Sequence, residues 1–329
     1  MIRVLKPGLL TSVQDLGRPG FQQYGIVVGG ALDGFAARVA NAIVGNADND
    51  AVLEIAQTGP DVQFAEETLV AWTGGDFEAR IDREPLPRDR AVRVAAGEVI
   101  SFGVATTGLR AWLAVAGGID VPLVMGSRAT YRRAGIGGHE GRPLRAGDEL
   151  KTFAPSEAAR ATLRSLHTTA RRATMWTVRP GTMGKPAPAG KVRAMPGPEW
   201  DWFTDPAQRD FFAAQWEATR DADRMGVRLQ GPALTLVKPR EMISAAVNTG
   251  IVQVPSAGQP IVLLPSRQSV GGYPRLAAVA GVDIGRFTQL RPGEKIGFEK
   301  ITVSAAQELW LARERDFSRV KLGLARAAG

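Results

Sequence analysis

Apolar residues along this chain come in short runs interrupted by turn residues, not in long stripes of helical period. The runs 62–64, 68–72, 91–94, 99–102, 111–116, 251–254 and 260–264 have strand length. Thr73-Gly74-Gly75-Asp76, Ala96-Gly97-Glu98 and Ser256-Ala257-Gly258-Gln259 separate them and read as turns, because Gly and short polar side chains accept backbone conformations that other residues resist. Helical period is confined to a few windows. Asp33 is placed to cap a helix over 34–44, with Phe35, Val39, Ile43 and Val44 near helical spacing and Gly45-Asn46 as its stop. A second helix is predicted from Thr204 or Asp205 to about Trp216, with Pro206 in its first turn and Phe211, Phe212 and Trp216 as its apolar face. A third, polar and rich in Ala and Arg, is predicted over 155–169.

The pattern occurs twice. Leu113-Ala114-Val115-Ala116-Gly117-Gly118-Ile119-Asp120 is echoed by Leu276-Ala277-Ala278-Val279-Ala280-Gly281-Val282-Asp283. Leu144-Arg145-Ala146-Gly147-Asp148-Glu149-Leu150 is echoed by Leu290-Arg291-Pro292-Gly293-Glu294-Lys295-Ile296, and Gly59-Pro60, ahead of an apolar strand, by Gly231-Pro232. The order is the same in both halves. The chain therefore reads as two related, mainly β units with a few helices, not as a solenoid. The first is expected at 1–153, a connector at 154–191, the second at 192–315 and a C-terminal tail at 316–329. Within the connector, 179–190 is rich in Pro and Gly, has no strong apolar period and reads as a linker or exposed loop.

Composition narrows the chemistry. A chain of 329 residues is long enough for two compact units. It has no cysteine, which excludes disulfides, thiolate nucleophiles, Fe–S clusters and Cys-based zinc sites. Its two histidines, His139 in a Gly-rich loop and His167 in a polar, connector-like stretch, cannot build a His-rich metal site, so no metal ligands are assigned. The formal charge of +8 comes from dispersed arginines without interleaved aromatics, which reads as a solvated basic surface and not as a nucleic-acid groove. The opening Met1-Ile2-Arg3-Val4-Leu5-Lys6-Pro7-Gly8 is broken too early for a signal peptide, and no eighteen-residue apolar window occurs. A cytoplasmic protein without a membrane partner is expected.

Chemistry-bearing residues cluster in two places. Gln14-Asp15-Leu16-Gly17-Arg18 sets an amide, a carboxylate and a guanidinium among turn residues. Arg18 could clamp an anion and Asp15 could serve as acceptor or base; equally, the pair could only shape a turn. Gly29-Gly30 ahead of the helix capped by Asp33 could hold an anion, but the cap already supplies negative charge there, so capping is favoured. The denser cluster is Gln268-Ser269-Val270-Gly271-Gly272-Tyr273-Pro274-Arg275, with Gln253 and Gln259 on a neighbouring hairpin-like unit. Neutral amides and hydroxyls, with little acid and no His, suit a site that positions and polarises an amide. No Walker A loop and no GxGxxG opening a helix is present.

These motifs resemble a known family. Ser12-Val13-Gln14-Asp15-Leu16-Gly17-Arg18-Pro19-Gly20, Asp33, Ala40-Asn41, Val44-Gly45-Asn46 and Leu53-Glu54 resemble the opening of the biotin-dependent carboxyltransferase-like family, found in urea carboxylase and in the proteins once called allophanate hydrolase subunit 2. Pro196-Gly197-Pro198-Glu199, Asp223-Arg224-Met225-Gly226-Val227-Arg228-Leu229, Gln253-Val254-Pro255, Gly258-Gln259-Pro260-Ile261 and Arg267-Gln268-Ser269-Val270-Gly271-Gly272-Tyr273-Pro274 extend the resemblance over nearly the whole chain outside the connector. It implies two tandem cyclophilin-like β-barrel subdomains. Stand-alone members of this length are typically the C-type subunit of an ATP-hydrolysing 5-oxoprolinase. That enzyme converts 5-oxo-L-proline to L-glutamate, the C-type subunit working with a homologous smaller B-type subunit plus a larger A-type subunit that binds the cyclic amide.

That reading implies ATP, with Mg²⁺, as co-substrate, and no biotin held by this chain, which lacks a Lys in a Met-Lys-Met context. Two alternatives stand beside it: a biotin-dependent carboxyltransferase acting on urea or a similar amide, and a non-catalytic protein antagonising a kinase-inhibitor-like partner. The residues expected to act are Asp15, Arg18, Gln268 and Tyr273. Substrate or nucleotide contacts are expected from Gln14, Asn41, Gly74, Gly75, Arg128, Arg224, Ser244, Gln253, Gln259, Gly271 and Gly272. The chain departs from its relatives at Gln230, Ala245 and Ser266, where an acid is common. Losing acids there points to a more anionic substrate or to reduced activity.

Overall fold

In the computed structural model, which describes residues 1–328, the chain is mainly β with five α-helices among the described residues. It divides into two compact units. The first comprises Met1–Arg18, Gly29–Met183 and Arg315–Gly329; the second comprises Pro19–Val28 and Gly184–Glu314.

The first unit holds two sheets over one core. One has seven strands, in the order Ile119–Asp120, Glu149–Thr152, Ile2–Lys6, Asp61–Phe64, Val99–Ser101, Arg80–Ile81 and Glu84–Pro85. The other has five, in the order Leu10–Gln14, Val52–Ala56, Thr107–Val115, Thr68–Asp76 and Val92–Val94. Ile2 and Val4 point inward and Arg3 and Leu5 outward, the alternation of a sheet with one wet face. Val52–Ala56 is buried on both faces, because helix α1 (Gly34–Ile43) covers the side of the five-stranded sheet away from the core. Trp72 and Phe102 meet edge to face at 5.4 Å in that core. Asp33 caps α1 by accepting the N–H groups of Phe35 and Ala36, as the sequence predicts. Helix α2 (Glu157–Thr168) is capped by Ser156 and carries His167.

In the second unit seven strands close a barrel: Lys191–Pro196, Arg275–Val279, Ile251–Gln253, Ile261–Leu263, Gly226–Gln230, Trp216–Ala218 and Lys295–Lys300. The first and last pair in parallel and complete the ring, and a closed ring leaves no free edge. Helix α3 (Asp205–Ala213) starts at a Thr204 cap and packs Phe211 on Phe298, ring centroids 4.3 Å apart. Trp216 is not the end of that helix, as predicted, but the first residue of a barrel strand. Its indole N–H donates to the Phe211 carbonyl at 3.1 Å, so the chain leaves the helix and folds its apolar ring back on it. Helix α4 (Ile284–Gln289) follows a short 3-10 turn.

Two further expectations change. Thr73-Gly74-Gly75-Asp76 is not a turn but the end of strand Thr68–Asp76, at a register shift against Thr107–Val115. Gly74 has φ +100°, and a Cβ there would lie 2.5 Å from the Arg110 carbonyl oxygen, so the bulge requires glycine. Gly231-Pro232 precedes no strand; it follows Gly226–Gln230, and the next run makes only an isolated bridge between Leu236 and Phe203. Of the remaining echoes, the first holds in its strand but not beyond it, since Ile119–Asp120 is a strand and Gly281–Asp283 a 3-10 turn, and the second holds. Leu113 and Leu276 both sit in strands. Residues 145–148 and 291–294 form the same turn: Asp148 and Glu294 accept the N–H groups of Arg145 and Arg291 at 2.7 and 2.9 Å, around Gly147 and Gly293 with φ of 90° and 85°. Helix α5 (Val303–Ala328) takes in the described part of the tail expected at 316–329.

Candidate functional site

In the first unit the strand Leu10–Gln14 delivers Asp15 and Arg18 to a loop formed by residues 124–130. Asp15 is buried. Its Oδ1 accepts the Gly17 N–H at 2.7 Å and the Ser127 hydroxyl at 2.6 Å, and its Oδ2 accepts the Arg128 N–H. A carboxylate that already takes three donors is an anchor more than a free base. Arg18 is also buried, with Nε donating to the Val124 carbonyl and Nη2 to that of Ala129. Burial pushes its pKa down, opposed by the Asp15 charge. Its Nη1 is buried without a protein partner, as is the Oε1 of Gln14, whose Nε2 donates to Ser12 and to the Thr130 carbonyl. Arg128 stacks its guanidinium 4.9 Å from the Phe153 ring centroid.

Gln14, Asp15, Arg18 and Arg128 are thus brought together. Asn41 and the Gly74-Gly75 pair are bound into other surroundings. Asn41 donates to the Asp50 carbonyl at 2.7 Å and accepts from Asn46 at 3.0 Å, which ties down the end of α1. Gly74 accepts from Arg88 at 2.8 Å. Ser127, which the sequence reading did not single out, lies 112 positions from its partner Asp15, and no local pattern marks it. Glu54 is likewise buried, accepting the Leu32 N–H at 2.8 Å and the Trp112 indole at 3.0 Å.

In the second unit a two-stranded ribbon, Ala245–Ala246 with Val270–Gly271, forms a separate sheet from the barrel. It gathers Ser244, Gly271, Gly272, Tyr273 and Gln253. The buried Gln253 carboxamide packs against Gly271 and donates to the Tyr273 carbonyl at 3.3 Å. Ser244, Gly272 and Tyr273 are exposed, and Gln268 is partly so. Gln259 is spent elsewhere: its amide exchanges two hydrogen bonds with the Gly231 backbone, at 2.9 and 3.2 Å. Arg224 donates to Ser266 at 3.3 Å. Arg275, the first residue of barrel strand Arg275–Val279, grips Glu199 with two nitrogens, at 2.9 and 2.7 Å, and donates to the carbonyl of ribbon residue Ala246 at 3.2 Å. No group of His, Asp and Glu that could hold a metal ion occurs among the described residues, and no described helix is long and apolar enough to cross a membrane.

Such a set of neutral donors, acceptors and arginines can hold and polarise an amide, and it lacks a free general base of the His type. Comparisons with known proteins bear on which amide. Residues 24–300 match the family described as carboxyltransferase domain, subdomain A and B. The chain is 36% identical over 320 residues to the C subunit of 5-oxoprolinase from Escherichia coli, covering 97% of each chain. It is 36% identical to the C subunit of 5-oxoprolinase from Haemophilus influenzae, covering 94% of each. It also resembles the urea carboxylase structure from Kluyveromyces lactis, with TM-score 0.84, 27% identity and 95% of this chain covered, but it spans only 28% of that protein. The chain belongs to the carboxyltransferase domain family, subdomains A and B.

Proposed function

We propose that this chain is the C-type subunit of an ATP-dependent 5-oxoprolinase, converting 5-oxo-L-proline, ATP and water to L-glutamate, ADP and phosphate together with a smaller B-type subunit plus a larger A-type one. The observation that carries this reading is the 36% identity to the Escherichia coli 5-oxoprolinase C subunit over 97% of both chains. The urea enzymes fit less well, since the chain spans only 17% of the Saccharomyces cerevisiae urea amidolyase at 29% identity. The lactam C–N bond is inert towards water. Transfer of the ATP γ-phosphoryl group to the lactam oxygen, with ADP leaving, makes the carbonyl carbon electrophilic; water adds there and the ring C–N bond breaks to the amine, leaving an acyl phosphate, which a second water hydrolyses to the carboxylate and phosphate.

In this scheme Tyr273, Gln268 and the Gly271–Gly272 backbone hold the amide, and Gln253 keeps the ribbon in place. In the first unit Asp15 is a positioning residue that fixes the loop bearing Ser127 and Arg128. Co-purified with its partner subunits, the chain is expected to support glutamate formation from 5-oxo-L-proline and ATP-Mg²⁺ and none from urea. Turnover of urea with a carboxybiotin donor, and none of 5-oxo-L-proline, would replace this reading by the carboxyltransferase one.

A further inference from the structure

The turn at 265–269 joins barrel strand Ile261–Leu263 to ribbon strand Val270–Gly271. Within it Arg267 is only 5% exposed. Its Nε donates to the Val247 carbonyl at 3.1 Å, Nη1 to Thr249 Oγ1 at 3.1 Å and the Pro265 carbonyl at 3.5 Å, and Nη2 to Asn248 Oδ1 at 3.1 Å. Every one of these acceptors is neutral. Two other arginines of the same unit are paired with carboxylates, Arg193 with Asp283 at 2.6 Å and Arg275 with Glu199 at 2.7 Å. Arg267 has none, and burial pushes its pKa down with no acid opposing the shift. A buried cation without a counter-ion is costly, and an arriving anion relieves that cost.

The rest of the turn offers donors. Ser266 N–H donates to the Arg224 carbonyl at 3.2 Å, and Arg224 Nε donates back to Ser266 Oγ at 3.3 Å, which holds a second guanidinium beside the turn. The neighbouring acid, Asp223, is occupied with the backbone N–H groups of Met225 and Gly226, at 2.8 and 3.2 Å. Among the described residues the backbone N–H groups of Gln268 and Ser269 donate to no protein acceptor, and both residues are partly exposed. The turn thus brings two successive free N–H donors and a guanidinium without a counter-ion into one short segment, the donor and charge types that an anion takes up. We propose that the turn 266–269 is an anion subsite that takes the carboxylate of a carboxylated lactam, so that this chain selects such a substrate over neutral amides. The proposal rests on the 5-oxoprolinase reading for its substrate class. A singly charged carboxylate suits one buried cation and two backbone donors better than a doubly charged phosphate, which draws more positive charge.

The test uses the full complex and compares kcat/KM for 5-oxo-L-proline with that for its uncharged analogue 5-oxo-L-prolinamide. Ser266→Asp sets a negative charge against the subsite and is expected to lower the ratio of the two values about ten-fold. Ser266→Asn, similar in size but uncharged, is expected to lower it about three-fold at most. A ratio that S266D leaves unchanged, or that S266N lowers as far, overturns the subsite and leaves the 5-oxoprolinase reading intact. If the unmodified complex opens neither lactam, that reading fails, and the subsite is judged on the chain alone by following the Gln268 and Ser269 amide resonances. Movement with 5-oxo-L-proline but not with the prolinamide supports it. No movement, or equal movement with both, overturns it. Inorganic phosphate is the third titrant: movement with phosphate and not with 5-oxo-L-proline would make this a phosphoryl site and overturn the carboxylate assignment.

Discussion

Asp89 shows how the fold holds an ionisable group at a cost. Burial raises its pKa to about 6, with Arg88, whose Nε lies 3.4 Å from Oδ2, and Arg179 only partly opposing, and its Oδ1 has no partner. Its backbone is left-handed, φ 60°, and its carbonyl accepts from Val178 and Thr177. The folded state therefore binds the Asp89 proton more tightly than the unfolded chain does. Its ionised form subtracts stability above pH 6, and that penalty fades as the pH falls from about 6 towards 4. Asp89→Asn, which tolerates the left-handed backbone, is expected to stabilise the protein by about 2 kcal/mol at pH 8 and by little near pH 4, measured by unfolding midpoints. An equal effect at both values would show that charge burial is not the cause. Asp15 is the opposite case, a buried carboxylate well supplied with donors. Asp15→Ala strands the donors of Gly17, Ser127 and Arg128 and should cost about 3 kcal/mol in denaturant unfolding, with Asp15→Asn costing less. The polar cluster around Asp15 and Arg18 was legible as a run of residues. Its division of labour was not, because two of the three groups that satisfy Asp15, from Ser127 and Arg128, come from a loop more than a hundred positions away.

At the scale of elements, capping was the readable signal. Asp33 and Thr204 each begin a helix where the sequence places one, since a side-chain acceptor ahead of an apolar period is local information. Strand ends and bulges were less readable. Gly74 and Gly97 look alike as residues, yet Gly97, φ 84°, sits in a turn with open space around it, and Gly74 faces the Arg110 carbonyl and the Trp112 ring across a bulge. Gly97→Ala should cost about 1 kcal/mol of backbone strain. Gly74→Ala should cost about 3 kcal/mol, because backbone and a buried ring must move as well. Thermal unfolding of the two variants measures this difference, and equal losses would contradict the close approach. Helix α5 escaped the sequence reading because its apolar positions are sparse and its charges many. The signal was present in Thr302, whose hydroxyl accepts the Ala305 N–H at 3.1 Å, and in the run 303–322, which has no Pro or Gly.

For the molecule as a whole, the repeated Arg-x-Gly-acid turn at 145–148 and 291–294 was visible because it is built from adjacent residues with one glycine conformation. The mainly β character was visible in the short apolar runs. One unit boundary, between Met183 and Gly184, falls in the Pro- and Gly-rich stretch 179–190, but no composition shift marks the grouping of Pro19–Val28 with Gly184–Glu314 or of 154–178 with the first unit. The reason is that 171–178 makes backbone bonds to Ala91, Arg93 and Asp89, which a pattern of Pro and Gly does not disclose. The most direct measurement is a drop-out assay: the oxoprolinase complex is reconstituted with and without this chain, and ADP and L-glutamate are counted. We expect the two products in equal amounts, dependent on 5-oxo-L-proline and present only when this chain is included. Glutamate formed at the same rate without it, or ADP released with no ring opened in its presence, would contradict its place in the reaction.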